Sequence, residues 1–140
     1  MDGIALTQVV PLQIIRAGTH LPEDITIPTL TKIEGAAGFD IFSAVTARIR
    51  PGQRETIATG VSFMIPAGYG LQIISRPGLA SARGVVVMGS PIIYNSGFTN
   101  ELKIGLGNLG GKADFNINKG DPIAIGVLIP IASLTMELVE

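Results

Sequence analysis

The sequence predicts an all-β domain, a sandwich or barrel of jelly-roll type by strand count. Three observations carry this. Short β-branched runs of strand length recur along the chain, and 18 glycines and 9 prolines separate them. Polar and apolar residues alternate where a half-exposed strand is expected. No window sustains a 3.6-residue period.

In chain order the strand-like runs are "ITIPTLTKI", "TARIRPG", "ETIATGVSFMIPAG", "GLQIIS", "GVVVMGSPIIY", "ELKIGLGNL", "ADFNINKG" and "IAIGVLIPIASLTMELV". Alternation is clearest at 45–50: Val45, Ala47 and Ile49 fall on one face, and Thr46, Arg48 and Arg50 on the other. Pro51-Gly52 suits positions i+1 and i+2 of a type II turn, and Pro66-Ala67-Gly68 makes a second break. "SRPGLASARG" is the one helical candidate, with Pro77 to start a short turn and Gly84 to end it. The stretch 89–110, "GSPIIYNSGFTNELKIGLGNLG", reads as a hairpin bent at Asn95-Ser96-Gly97, with Asn95, Thr99, Asn100 and Glu101 at the bend.

A chain of 140 residues is expected to form one domain, 1–140, that buries about two-thirds of its unfolded surface. Net charge is −1 and charged residues are 15%, against about 25% in ordinary domains. With no basic excess, direct nucleic-acid binding is not expected. The longest apolar runs fall far short of the roughly 20 residues of a membrane span, so no membrane partner is expected either. No basic-then-apolar signal peptide opens the chain, and a virion or host-cytoplasm location is expected. There is no cysteine, which removes disulfides and thiolate metal sites. A chain that is 46% hydrophobic and weakly charged is expected to hide surface by self-association.

Residues for chemistry are sparse. His20 is the single histidine and lies in a polar loop, so no Ser/His/Asp set can be built without it. The acids Asp2, Glu23, Asp24, Glu34, Asp40, Glu55, Glu101, Asp114, Asp121, Glu137 and Glu140 are scattered without metal-pair spacing. "GNLGGKADF" has Lys112 but not the strand–GxxxxGK[ST]–helix frame of a phosphate loop, and reads as a hairpin turn. Three stretches place polar groups among apolar strands: "EGAAGFDIFSA" with Asp40, "ISRPGLASARG" with Arg76 and Arg83, and the 89–110 bend.

Taken in order, these stretches resemble the trimeric dUTPase family. "AAGFDIFSA" is similar to its first motif, an Ala-Gly-Phe/Tyr-Asp core. "SRPGLASARGV" is similar to the second, Pro-Arg-Ser-Gly-Leu-Ala followed by a basic residue and Gly. "SPIIYNSGFTNELKIGLGNLG" is similar to the third, Ser-Pro-Gly-x-Ile-Asp-x-x-Tyr-Arg-Gly-Glu and a strand ending Asn-Leu-Gly. "INKGDPIAIGVLIPI" is similar to the fourth, Gly-Asp-Arg-Ile-Ala-Gln and an apolar strand. Order and spacing agree over residues 35 to about 131. The resemblance implies a β-jelly-roll protomer in a homotrimer, with sites between subunits that split a Mg²⁺-bound nucleoside triphosphate into dUMP and pyrophosphate.

The departures concentrate at the chemistry the resemblance implies. Asn95 stands where the family has the water-activating Asp, and an amide cannot take a proton near neutral pH. Phe98 replaces the Tyr that packs under the deoxyribose, and Ile92 and Asn100 replace glycines. Arg76 is kept, but Pro77 replaces a phosphate-binding Ser and removes a hydroxyl and an N–H together. Pro122 and Gly126 replace the Arg and the phosphate-reaching Gln of the fourth motif. The chain ends at "SLTMELVE", where the family's Gly-rich arm is expected to begin. What is kept is scaffold: Gly38, Asp40, Gly78, Leu79, Ala80, Gly84, Ser90, Pro91, Glu101, Asn108, Gly120, Asp121, Ile123 and Ala124.

The expectation drawn from these losses is a trimer of phage origin that has lost hydrolysis and serves a structural or binding role, as a capsid decoration protein at three-fold positions of a shell. Asn95, Phe98 and Asp40 would then form a vestigial pocket, with no metal or cofactor. Two alternatives stand beside it. One is an active, divergent dUTP diphosphatase that uses Mg²⁺, and the other is a nucleotide-sensing module. If nucleotide is still bound, the binding residues are Arg76, Gly78, Arg83, Asn95, Phe98 and Lys103.

Overall fold

A computed structural model describes residues 10–17 and 37–140. His20, Asp2, Glu23, Asp24, Glu34 and the run at 25–33 lie outside the described residues. Among the described residues the chain forms β1 (Gln13–Arg16), β2 (Phe39–Phe42), β3 (Ala47–Ile49), β4 (Arg54–Ala58), β5 (Val61–Met64), β6 (Tyr69–Ile74), α1 (Pro77–Arg83), β7 (Val85–Val87), β8 (Ile92–Asn95), β9 (Lys103–Asn108), β10 (Phe115–Ile117) and β11 (Pro122–Pro130). Every strand-like run that falls within these residues contributes a strand, the single helix among them is the one expected, and β1 is a strand that the runs do not include.

All pairings are antiparallel. A four-stranded sheet runs β2-β11-β6-β8 and a three-stranded sheet runs β4-β9-β7, with two-stranded ribbons β1-β5 and β3-β10. One core joins them. Ile41, Ile49, Ile57, Phe63, Ile73, Val85, Ile104, Leu106, Ile117 and Ile123 come from nine different strands and form one buried cluster. The alternation at 45–50 holds: Ile49 is fully buried, whereas Thr46, Arg48 and Arg50 are exposed.

The hairpin reading of 89–110 is corrected by the topology. The bend at Asn95–Phe98 is real, closed by the Phe98 N–H donating to the Asn95 carbonyl at 3.2 Å. Yet β8 pairs with β6, and β9 pairs with β4 and β7, so the bend carries the chain from one sheet to the other. "GNLGGKADF" is no hairpin turn either, because β10 pairs with β3 rather than β9. Local turn chemistry fixes a bend but not the partner of the strand that follows it. The run ending "IASLTMELV" is also shorter as a strand than it reads. Pro130 lies opposite Tyr69, where β6 starts, so beyond Ile131 the ladder has no partner and residues 131–140 are exposed coil.

Helix α1 is bounded as its residues dictate. Pro77 occupies its first turn, where the missing N–H breaks no helical bond. Gly84 ends it in the left-handed region at φ 67°. A Cβ at Gly84 would lie 2.7 Å from the Gly110 nitrogen, so the helix end docks on the 108–111 loop by backbone contact.

Candidate active site

The four-stranded sheet gathers all four motif stretches. The first motif's aspartate sits on β2, the fourth motif on β11, the second follows β6, and the third opens on β8. Asp40 on β2 lies opposite Ile125, and Ile74 lies opposite the same Ile125, so Asp40 and the start of the Ser75-Arg76 segment flank one residue of β11. Across that gap the Arg76 guanidinium donates to the Asp40 carboxylate. Both side chains keep solvent access, so the pair orients Arg76 more than it stabilises the fold. Ser75 ties the second motif to the third. Its Oγ accepts from the Val87 N–H at 2.8 Å, and its own N–H donates to Ser90 Oγ at 3.3 Å.

Asn95 ends β8 opposite Gly70 and is exposed. Its side-chain amide makes no hydrogen bond to another group among the described residues, so it is free to bind a water or a ligand. Phe98 lies just past the bend, half-buried against Tyr94, with ring centroids 4.4 Å apart and planes at 38°. Gly78 lies in α1 with nothing within 4 Å of where a Cβ would stand. A glycine inside a helix costs about 1 kcal/mol relative to alanine. The packing of this protomer gives no reason for it, whereas close approach of a ligand or a neighbouring subunit does.

The other expected cations are not brought to this place. Arg83 stands at the far end of α1, two turns or roughly 10 Å along the axis from Arg76. Its guanidinium lies 5.3 Å from the centre of the Phe115 ring. Lys103 begins β9 opposite Ala58, in the other sheet, and is exposed there.

Two apparent losses have local causes. A Cβ at Gly126 would lie 2.6 Å from Phe39 Cζ, because the Phe39 ring, itself 5.8 Å from the Phe63 ring, covers β11 at that point. Gly126 is therefore the residue this seam admits, but it is not where the Gln of the fourth motif falls: counted from Gly120-Asp121, that sixth position is Ile125, which corrects the placement at Gly126 by one residue. Pro122 opens β11 just before the register shift between Pro122 and Ala124, a strand start where proline is tolerated. Two residues of the site went unnoticed in the sequence: Ser75, as the link between motifs, and Tyr94, as the support of Phe98. Tyr94 was detectable, since it stands where the third motif has Ile.

The fold is thus an all-β protomer with its four motif stretches gathered on one sheet, and comparison with known proteins makes this specific. The family model described as dUTPase matches residues 23–140. The chain is 38% identical over 118 residues to the deoxyuridine 5'-triphosphate nucleotidohydrolase of Agrobacterium fabrum, covering 81% of this chain and 74% of that protein. It is 40% identical over 108 residues to the enzyme of the same name from Clostridium kluyveri, covering 76% of this chain and 75% of that one. Among solved structures, a mutant dUTPase from phage phi11 of S. aureus superposes with a TM-score of 0.79 at 26% identity, over 93% of this chain and 97% of that chain. An Asp-to-Asn mutant of the Staphylococcus bacteriophage 80alpha dUTPase, with dUpNHpp, gives the same score and identity over 93% and 96%. The chain belongs to the dUTPase family, with its β-jelly-roll fold.

The expectation of a non-catalytic capsid decoration protein is overturned by these relatives, which are named as nucleotidohydrolases at about 38% identity. The inference went wrong in treating each departure as a lost function. Pro77 and Pro122 suit the first turn of α1 and the start of β11, Gly126 is not the Gln position at all, and the Arg76–Asp40 pair keeps a cation at the second motif. Among the described residues no helix is long and apolar enough to cross a membrane.

Proposed function

We propose that this protein is a dUTP diphosphatase, hydrolysing dUTP to dUMP and pyrophosphate. The observation that carries the proposal is its identity of 38–40% to deoxyuridine 5'-triphosphate nucleotidohydrolases over most of its length. In this reading Arg76 binds a phosphate oxygen, oriented by Asp40, and Gly78 lets the triphosphate approach the backbone of α1. Phe98 packs under the sugar. Water attacks phosphorus, the bond to the bridging oxygen between the α- and β-phosphates breaks, and pyrophosphate leaves. Asn95 holds the water by its amide and takes no proton, so the proton passes to a phosphate oxygen or to solvent.

Mg²⁺ enters as part of the substrate. Among the described residues no three His, Asp or Glu side chains are grouped to cage an ion, whereas a triphosphate offers its own oxygens. We propose a homotrimer as the working assembly. Ile15, Met64 and Ile93 are exposed along strands of the single chain, and each is close to half accessible. Burial between protomers would remove that surface from water.

The test is release of pyrophosphate from dUTP and Mg²⁺ by the purified full chain, with dCTP and dTTP as controls. Turnover selective for dUTP supports the proposal, and no release above background overturns it. Light scattering that gives a mass other than three chains overturns the trimer.

A further inference from the structure

The third motif of the family pairs Ile with Tyr at the positions that Tyr94 and Phe98 hold here, so the aromatic hydroxyl has moved from one residue to the other. The two rings touch, with centroids 4.4 Å apart at 38°. Tyr94 is fixed in β8 opposite the buried Leu71 and packs against the main core cluster. Phe98 lies beyond the bend, its backbone held by the single bond to Asn95 and its neighbours Gly97, Thr99 and Asn100 exposed. A phenylalanine has no polar handle, so only packing can set the plane of its ring. Among the described residues its ring contact is with Tyr94.

We infer that Tyr94 is a positioning residue: it anchors the Phe98 ring to the core, and so fixes the platform that distinguishes deoxyribose from ribose. This rests on the proposal that Phe98 packs under the sugar. An aromatic contact of this kind corresponds to about threefold to tenfold in an equilibrium constant.

The experiment compares full-length wild type, Tyr94→Ile and Tyr94→Phe in steady-state hydrolysis of dUTP and UTP, with calorimetric binding of dUpNHpp alongside. Tyr94→Ile is expected to raise KM for dUTP about fivefold with kcat within about twofold, to weaken dUpNHpp by the same factor, and to lower the preference for dUTP over UTP. Tyr94→Phe keeps the stacked ring and is expected to match wild type in all three. Unchanged KM and sugar preference in Tyr94→Ile overturn the inference, as does a Tyr94→Phe protein impaired as much as Tyr94→Ile. If Tyr94→Ile does not fold, Tyr94→Leu takes its place under the same criteria. A wild type that binds dUpNHpp but releases no pyrophosphate sinks the proposed hydrolysis alone, and the binding constants then decide the role of Tyr94. A wild type that binds no dUpNHpp sinks both.

Discussion

The two larger sheets treat their polar residues in opposite ways. At the three-stranded sheet Asn108 and Thr59 are buried and hydrogen-bonded and Glu101 is half-buried and hydrogen-bonded, while Lys103 and Arg54 on its strands face solvent. Asn108 at the end of β9 donates to the carbonyls of Ile49 at 2.9 Å and Ala113 at 3.0 Å, and accepts from the Gly110 N–H at 3.0 Å. Glu101, just before β9, accepts from the Gly60 N–H at 2.8 Å, and Thr59 donates to the Leu102 carbonyl at 2.6 Å. In the four-stranded sheet the polar residues lie at the surface and are lightly held. Arg76 and Asp40 have each other, and Asn95 keeps its amide free. Residues of the third motif thus divide between two jobs. Glu101 and Asn108 close the fold across the sheets, while Asn95 and Phe98 lie at the exposed bend where the proposed site would receive its ligand. Resemblance to a motif does not by itself make a residue part of the chemistry.

Substitutions that move one sheet's residues toward the other's behaviour sharpen this contrast. The largest effect is expected for Arg76→Ala: kcat/KM for dUTP should fall about 10²–10³-fold through loss of a charged phosphate donor, with little change in Tm. A change below tenfold would remove Arg76 from the site. Asn108→Ala should do the reverse. It strands three backbone groups and should lower unfolding free energy by about 3 kcal/mol in denaturant titration, leaving turnover per folded molecule near wild type. Asn95→Asp supplies a group able to take the proton and should raise kcat about a hundredfold. No gain would mean that Asn95 does not face the attacking water. Gly126→Gln drives a Cβ into the Phe39 ring, and should destabilise by about 2 kcal/mol without raising activity. Glu101→Gln keeps an acceptor for the Gly60 N–H but loses the charge assistance, and should cost about 1 kcal/mol or less.

Part of the site was legible in the chain because its signals are local. The second motif declares Arg76 and a short helix bounded by Pro77 and Gly84, and the structure returns both. Asn95 and its bend are equally local. The grouping of cations was not legible. Arg76, Arg83 and Lys103 look alike in sequence, yet α1 holds the first two at opposite ends and Lys103 belongs to another sheet. The error about function has the same root. Pro77 reads as a deletion because the first turn of α1, which accommodates it, appears only when the chain is folded, whereas Gly126 reads as one only by a one-residue misplacement of the fourth motif's Gln.

The sequence by itself determined most of the secondary structure: short β-branched runs cut by glycine and proline, one short helix between Pro77 and Gly84, and a face that alternates from 45 to 50, though it did not mark β1. Those are properties of neighbouring residues, set by steric preference and period. The tertiary structure alone decided which strands pair, and so that β8 and β9, adjacent in the chain, lie in different sheets. It also decided that Asp40 and Arg76, 36 positions apart, meet at one edge of the site. Strand pairing is chosen by the shared core that nine strands fill together, and no local stretch carries that information.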